Sequence, residues 1–303
     1  MFLPLHKSLT IVLTICAIGM LACTQTNNTA TTGNDTSSKK NTITAIDTPV
    51  AVIKDTVPAK FIWKAPVYDS TKQYIYLTFD DGPQPGTMKT YEICKQLGVK
   101  ATFFMVGEHA RDKWGQEIVS TIREAYPEYL LANHSYTHAS NRYKYFYQHP
   151  VMATADFLKA QQDMNVPYKI IRLPGNSAWV RNNELQSSAL TKAVCKKLDT
   201  LGYNVMGWDQ EWNFNHKTAK PIQTAEKMAG EITWAIKNNK VHKNNHIVLL
   251  AHDRMFREKA DADSLIKMIN LLKQHKNFVF ETMDNYPGIK TPDATPATGT
   301  SMK

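Results

Sequence analysis

Two adjacent carboxylates, Asp80 and Asp81, end the apolar run Tyr74-Ile-Tyr-Leu-Thr-Phe79 and are followed at once by Gly82-Pro83. At the C-terminal end of a strand both can face one cleft. The plain alternative is a solvated turn, since Asp-Gly-Pro is good turn chemistry. Further on, His134 and His138 stand at i, i+4 spacing just after another short apolar run. On a helical turn both imidazoles point the same way. With one Asp carboxylate they make a three-ligand site suited to Zn2+ or another divalent transition metal, with an open position for water. The second carboxylate then takes a proton from that water, whose pKa the metal lowers. Arg172 ends a further apolar run and can hold the base ionised and correctly turned. His252 ends Ile247-Val-Leu-Leu-Ala251 and is placed for a general acid, a role typically worth ~10²–10⁴ in rate. Asp209 or Glu211 would keep that imidazole protonated. The chemistry implied is metal-assisted hydrolysis of an amide or ester.

The elements that must position these groups alternate regularly. Strands are predicted at 74–79, 101–106, 129–132, 168–173, 203–208, 246–251 and 278–282. Helices are predicted near 87–97, 116–125, 150–165, 187–201, 222–237 and 261–275, with Gly98 stopping the first and Pro150 opening the third. Strict alternation implies an α/β fold with parallel strands and right-handed crossovers, in an open doubly wound sheet or a barrel. The barrel is favoured because Asp80, Asp81, His134, His138, Arg172, Asp209, Glu211 and His252 all follow strand ends. That is the face where a parallel barrel gathers its active site.

Taken together the motifs resemble the polysaccharide deacetylase family, the NodB-homology domains of carbohydrate esterase family 4. Thr78-Phe-Asp-Asp-Gly-Pro83 matches the family's first motif and His134-Ser-Tyr-Thr-His138 its second. Arg172-Leu-Pro-Gly-Asn176 is similar to the third and Leu250-Ala-His252 to the fifth. Ala101-Thr-Phe-Phe-Met-Val-Gly107 looks like the family's second strand. The resemblance spans about residues 70–285. It implies a distorted seven-stranded (β/α) barrel, TIM-like, with one divalent ion, Zn2+ or else Co2+ or Ni2+, on Asp81, His134 and His138. Asp80 would be the base, His252 the acid, and Arg172 the partner that orients Asp80. The implied reaction removes N- or O-acetyl groups from glycans such as chitin, peptidoglycan or xylan. It is a hydrolysis at a carbon–nitrogen bond other than a peptide bond, if the acetyl group is N-linked.

Two positions depart from the family pattern. Gly175 stands where the third motif usually carries an aromatic residue. Its backbone N–H can still serve an oxyanion hole, while the aromatic wall is lost. The fourth motif usually reads Asp-Trp, and its Asp tunes the catalytic His. Here the chain reads Gly207-Trp-Asp-Gln-Glu-Trp212, so Glu211 is the closest match and Asp209 its competitor. Trp208, Trp212 or Trp179 would offer a ring to a sugar face, and Leu250 would line the same side. His109, His149, His216, His242, His246 and His275 fit no ligand spacing and are read as surface or structural.

The N-terminus bears on compartment. Lys7 precedes an apolar run from Leu9 to Ala22 that is too short to span a bilayer comfortably. Met20-Leu-Ala-Cys23 resembles a lipoprotein signal, so 1–22 is expected to be removed and Cys23 lipidated. The alternative is a plain secretory signal cut near Ala22. Residues 23–62, rich in Thr, Asn and Ser, are expected to form a disordered tether, 63–288 the catalytic domain, and 289–303 a disordered tail. The expected setting is the bacterial envelope, on the periplasmic side of the outer membrane in a Gram-negative cell. The net charge of +9 suits anionic glycans or surfaces, and with no basic run or motif nucleic acid is not a partner. A monomer is expected. Cys94 and Cys195 are read as buried thiols, with a disulfide open as an alternative. Two rival functions remain: a glycan-binding lipoprotein that does not turn over, and an amidohydrolase for a small cyclic amide.

Overall fold

Strand β1 (Gln73–Gly82) is buried on both faces, and its alternation explains the whole architecture. Ile75, Leu77 and Phe79 pack with Ile93 and Cys94 of α1 (Thr87–Leu97) and with Leu265, Ile269 and Leu272 of α7 (Lys259–Lys273). Tyr74 and Tyr76 point the other way, into a second cluster with Phe104, Leu130, Ala132 and Val248. One face therefore lies beneath helices and the other lines the inside of a curled sheet. Fully burying each such side chain stabilises the fold by roughly 1.5–3 kcal/mol. The computed structural model describes residues 63–290. The expected signal segment, the lipidation site Cys23, the tether and the tail beyond Lys290 lie outside the described residues.

On one side of β1 lies β2 (Ala101–Met105), then β3 (Tyr129–Asn133), β4 (Ile170–Ile171) and β7 (Asn204–Val205), all parallel. On the other lies β9 (His246–His252), followed by β8 (Gln210–Glu211), and β10 (Phe278–Phe280) pairs the first residues of β1. The fold is thus a curled, mostly parallel α/β sheet of the expected class. Its outer shell is completed by α2 (Lys113–Glu124), α4 (Pro150–Asp163), α5 (Lys192–Thr200) and α6 (Ala225–Lys237).

Three features differ from the alternation read in the sequence. The expected strand 203–208 shortens to the two residues of β7, and a second two-residue strand, β8, follows it. Met206 N–H still bonds to the Ile171 carbonyl, but Asp209 N–H bonds to Val248 and Trp212 N–H to Leu250. The chain itself crosses from the β4 edge to the β9 edge, so covalent continuity bridges the curl where a strand pair would close a regular barrel. Second, the stretch after Leu173, to which the sequence pattern assigns no element, forms an antiparallel hairpin, β5 (Trp179–Arg181) and β6 (Glu184–Gln186), attached to β7. Its Asn182-Asn183 turn, with Asn183 at φ 59°, is a hairpin signal in its own right. Third, a short helix, α3 (Tyr143–Gln148), precedes Pro150. Residues 289 and 290, expected to lie in the tail, pack on the domain. Ile289 is buried, and Lys290 binds Asn204, Asp199 and the Tyr203 carbonyl. Cys94 and Cys195 are buried free thiols.

Candidate active site

Strand parity delivers the polar groups. Tyr74, Tyr76 and Thr78 face inward along β1, so Asp80 does too. Leu130 and Ala132 of β3 put His134 on the same side, Ile170 does the same for Arg172, and Val248 and Leu250 do so for His252. All these strands are parallel, so the four side chains meet at one end of the sheet, where Asp80, His134 and His252 line a cavity of ≈ 390 Å³ and Arg172 is buried behind Asp80.

Asp81 breaks the parity. Its φ is 75° and the β1–β2 register slips between Asp80 and Gly82. The twist swings a second carboxylate into the cavity beside the first. Asp81 Oδ1 lies 3.1 Å from His138 Nε2 and 3.5 Å from His134 Nε2. His134 Nδ1 is 2.9 Å from the Arg172 carbonyl, which fixes that nitrogen as the N–H and leaves Nε2 as the lone pair facing Asp81. Burial alone would push the Asp81 carboxyl up. The imidazoles of His134 and His138 beside it, with the charge of His252, hold it well below the usual carboxylate range. Burial works against a charged His134, but the carboxylates of Asp80 and Asp81 raise its pKa. These three residues fit a divalent cation. One atom from each lies within 4.8 Å of the others, Asp81 Oδ1 is buried without a hydrogen bond, and the donor set is N, N, O.

Asp80 is held differently. Arg172 Nη1 donates to Asp80 Oδ1 at 2.8 Å and to Thr78 Oγ1 at 2.6 Å. Arg172 Nε and Nη2 donate to the carbonyls of Met206 and Gly207. Arg172 is fully buried, and these four contacts fix its plane. Asp80 Oδ2 remains on the cavity side, 3.7 Å from His134 Nε2. Thr78 and the two carbonyls were not foreseen, although the Thr in the first motif was in view.

His252 Nε2 lies 3.9 Å from Asp81 Oδ2, and its Nδ1 is buried without a hydrogen-bond partner. Burial lowers its pKa and outweighs the pull of Asp81 and Asp80. This corrects the expectation that a nearby carboxylate keeps it protonated in the free protein. Asp209 accepts from the N–H groups of His242 (2.5 Å) and Val248 (2.7 Å), and burial raises its pKa to about 6. It fixes the crossing between β7 and β8. Glu211 lines the cavity and reaches His252 through charge alone.

Gly175, Trp208 and Leu250 also line the cavity. Trp212 and Trp179 do not. The first is fully buried against Phe256, and the second stacks on His242 at 4.1 Å. His216, read as surface or structural, stands on the cavity wall, and His109 bonds the Asp81 carbonyl through Nδ1 at 2.7 Å. Asn141, Tyr143, Asn213, Phe214 and Arg254 complete the rim and were not anticipated. Two of them arrive through an unusual turn. His138, Ala139, Ser140 and Asn141 have φ of 50°, 54°, 47° and 57°, a left-handed turn without a single glycine. Left-handed backbone costs roughly 1–2 kcal/mol per L-residue and persists where the surroundings over-determine it.

A family model for polysaccharide deacetylase matches residues 68–199, which contain the Asp pair, both cation-site histidines and Arg172. Over that stretch this chain is similar to the polysaccharide deacetylase family. The chitin disaccharide deacetylase of Vibrio alginolyticus is 24% identical over 71% of this chain and 72% of its own length. The Bacillus subtilis protein YheN, provisionally named a polysaccharide deacetylase, is 27% identical over 70% of this chain and 67% of its own. In fold the chain is similar to a Streptococcus mutans CE4 esterase, with a TM-score of 0.53 and 23% identity over 70% of this chain and 86% of that one. The chain thus has the fold of that structure and a candidate cation site on Asp81, His134 and His138.

Proposed function

We propose that the protein is a metal-dependent hydrolase that removes acetyl groups, N-acetyl above all, from a cell-envelope or extracellular polysaccharide. One observation carries the reading. The neighbouring carboxylates Asp80 and Asp81 are held by different partners, Arg172 for the first and two histidines for the second. When bound on Asp81, His134 and His138, a divalent ion such as Zn2+ would polarise the acyl carbonyl and acidify water. Asp80, turned by Arg172, accepts the proton of the attacking water through Oδ2. The water oxygen bonds to the carbonyl carbon, and the Gly175 N–H faces the oxygen on which negative charge develops. That developing charge draws a proton from solvent onto His252, whose imidazolium gives it to the leaving amine as the C–N bond breaks and acetate departs, and Asp80 returns its proton to solvent. The family-model match and the names of the relatives support the acetyl group as the target. The rings of Trp208, Tyr143 and Phe214 around the cavity favour a sugar over a small cyclic amide.

Acetate release from chitin oligomers, peptidoglycan and acetylxylan, with chelator and with Zn2+ restored, tests this. Release that chelator stops and Zn2+ returns is expected from one of the three. Turnover of a soluble cyclic amide with none from any glycan would replace the reading. We propose in addition that the enzyme is exported and anchored through Cys23. Labelling with an alkyne fatty acid should mark the unmodified protein and not Cys23→Ser.

A further inference from the structure

The family's aromatic position holds Gly175, and the space beside it is occupied. A Cβ built on Gly175 would meet Cε1 of Tyr143 at 3.1 Å and Cδ1 and Cζ at 3.2 Å. Tyr143 is the first residue of α3, half-buried on the cavity wall, with its ring edge-on to His138 at 5.8 Å between centroids. Two features hold it there. The left-handed turn over His138–Asn141 swings the chain from the cation site directly into α3. At the other end of the same helix, Tyr147 donates its hydroxyl at 2.6 Å to the carbonyl of Pro174, the residue before Gly175. Helix α3 is thereby clamped onto the 174–175 corner, and Gly175 is the residue that leaves room for the ring. Its φ of 61° suits glycine as well.

We propose that Tyr143 is a substrate-positioning residue: its ring supplies from α3 the apolar wall that position 175 lacks, and it packs against the sugar bearing the acetyl group. This rests on the deacetylase reading of the same cavity. The probe is a β-linked N-acetylglucosamine oligomer, with acetate release and direct binding measured side by side. Tyr143→Ala should raise KM about tenfold while kcat falls less, and Tyr143→Phe should restore KM, since the ring rather than the hydroxyl makes the wall. Tyr143→Leu, which keeps apolar bulk, should behave like Tyr143→Ala. Gly175→Ala carries the same backbone strain in either background. Its loss of kcat/KM should be about tenfold greater with Tyr143 present than in Tyr143→Ala. An unchanged KM in Tyr143→Ala, or additive effects at 143 and 175, would overturn the proposal. If the unmodified protein releases no acetate, the deacetylase reading fails while the wall is still tested. Weaker oligomer binding by Asp80→Asn/Tyr143→Ala than by Asp80→Asn supports it, and equal binding overturns it.

Discussion

Strand β9 carries a histidine at each end, and the two live in opposite surroundings. His246, at the start, lies in the floor of the curled sheet. Its Nδ1 is 2.9 Å from the Tyr76 hydroxyl, its ring stacks on Tyr74 at 4.9 Å, and Tyr68 meets it edge-on. His252, at the far end, has a buried Nδ1 without a hydrogen-bond partner and an Nε2 turned toward Asp81. Strand β1 repeats the division, with tyrosines 74 and 76 at the floor and Asp80 and Asp81 at the mouth. Burial lowers the pKa of both histidines, to about 4 for His246. The difference is in the partners. The floor histidine is packed between aromatic rings and stabilises the fold. The mouth histidine and Asp81 Oδ1 keep unmatched hydrogen-bonding capacity at a cavity, where a ligand can use it.

The comparison predicts that substitutions at the mouth change turnover and those at the floor change stability. The largest effect is expected for His252→Gln, which should lower kcat by ~10²–10⁴ and leave the thermal midpoint within about 2 °C of the unmodified protein. A large loss of thermal stability with modest loss of turnover would erase the distinction. Arg172, fully buried beneath the mouth, is the charge partner of Asp80. Arg172→Met leaves Asp80 buried without its cation and should cost about 3–5 kcal/mol in denaturant unfolding, along with most of the activity. If stability is retained, Asp80 does not depend on that pair.

His246 gives the sharper test of the floor. Its folded pKa of about 4 lies below the 6.5 of an unperturbed histidine, so the unfolded chain binds more protons between those values. The stabilisation it gives is complete above about pH 6.5 and is lost as pH falls through about 4. His246→Phe should flatten that part of the acid-unfolding profile by on the order of 1 kcal/mol and leave acetate release at neutral pH unchanged. An unaltered slope would assign the acid sensitivity to other groups. The smallest effect is expected at the rim. His216→Ala should raise KM about twofold to fivefold, the scale of one exposed hydrogen bond.

Much of this division is written in the sequence, because strand ends and parity are local properties. The runs before Asp80, His134 and His252 alternate two clusters of apolar side chains, and the polar residue simply inherits the inward side. What escaped depends on contacts distant in sequence. The crossing from β7 to β8 requires β9 to accept hydrogen bonds at Val248 and Leu250, and nothing in Tyr203–Trp212 states that. The same crossing sets Asp209 and Glu211 apart. Asp209 spends its carboxylate on the backbone of His242 and Val248, which leaves Glu211 toward the cavity. Tyr143 escaped because a left-handed turn of ordinary residues has no glycine to announce it.

The central claim is that Asp80 and Asp81, adjacent in the chain, do separate work. The most direct measurement is bound metal and acetate release, determined together for Asp80→Asn and Asp81→Asn. The account predicts that Asp80→Asn keeps a full complement of Zn2+ and loses acetate release by ~10³ or more, while Asp81→Asn loses the metal itself. Equal loss of metal in both variants, or sustained turnover by Asp80→Asn, would contradict it.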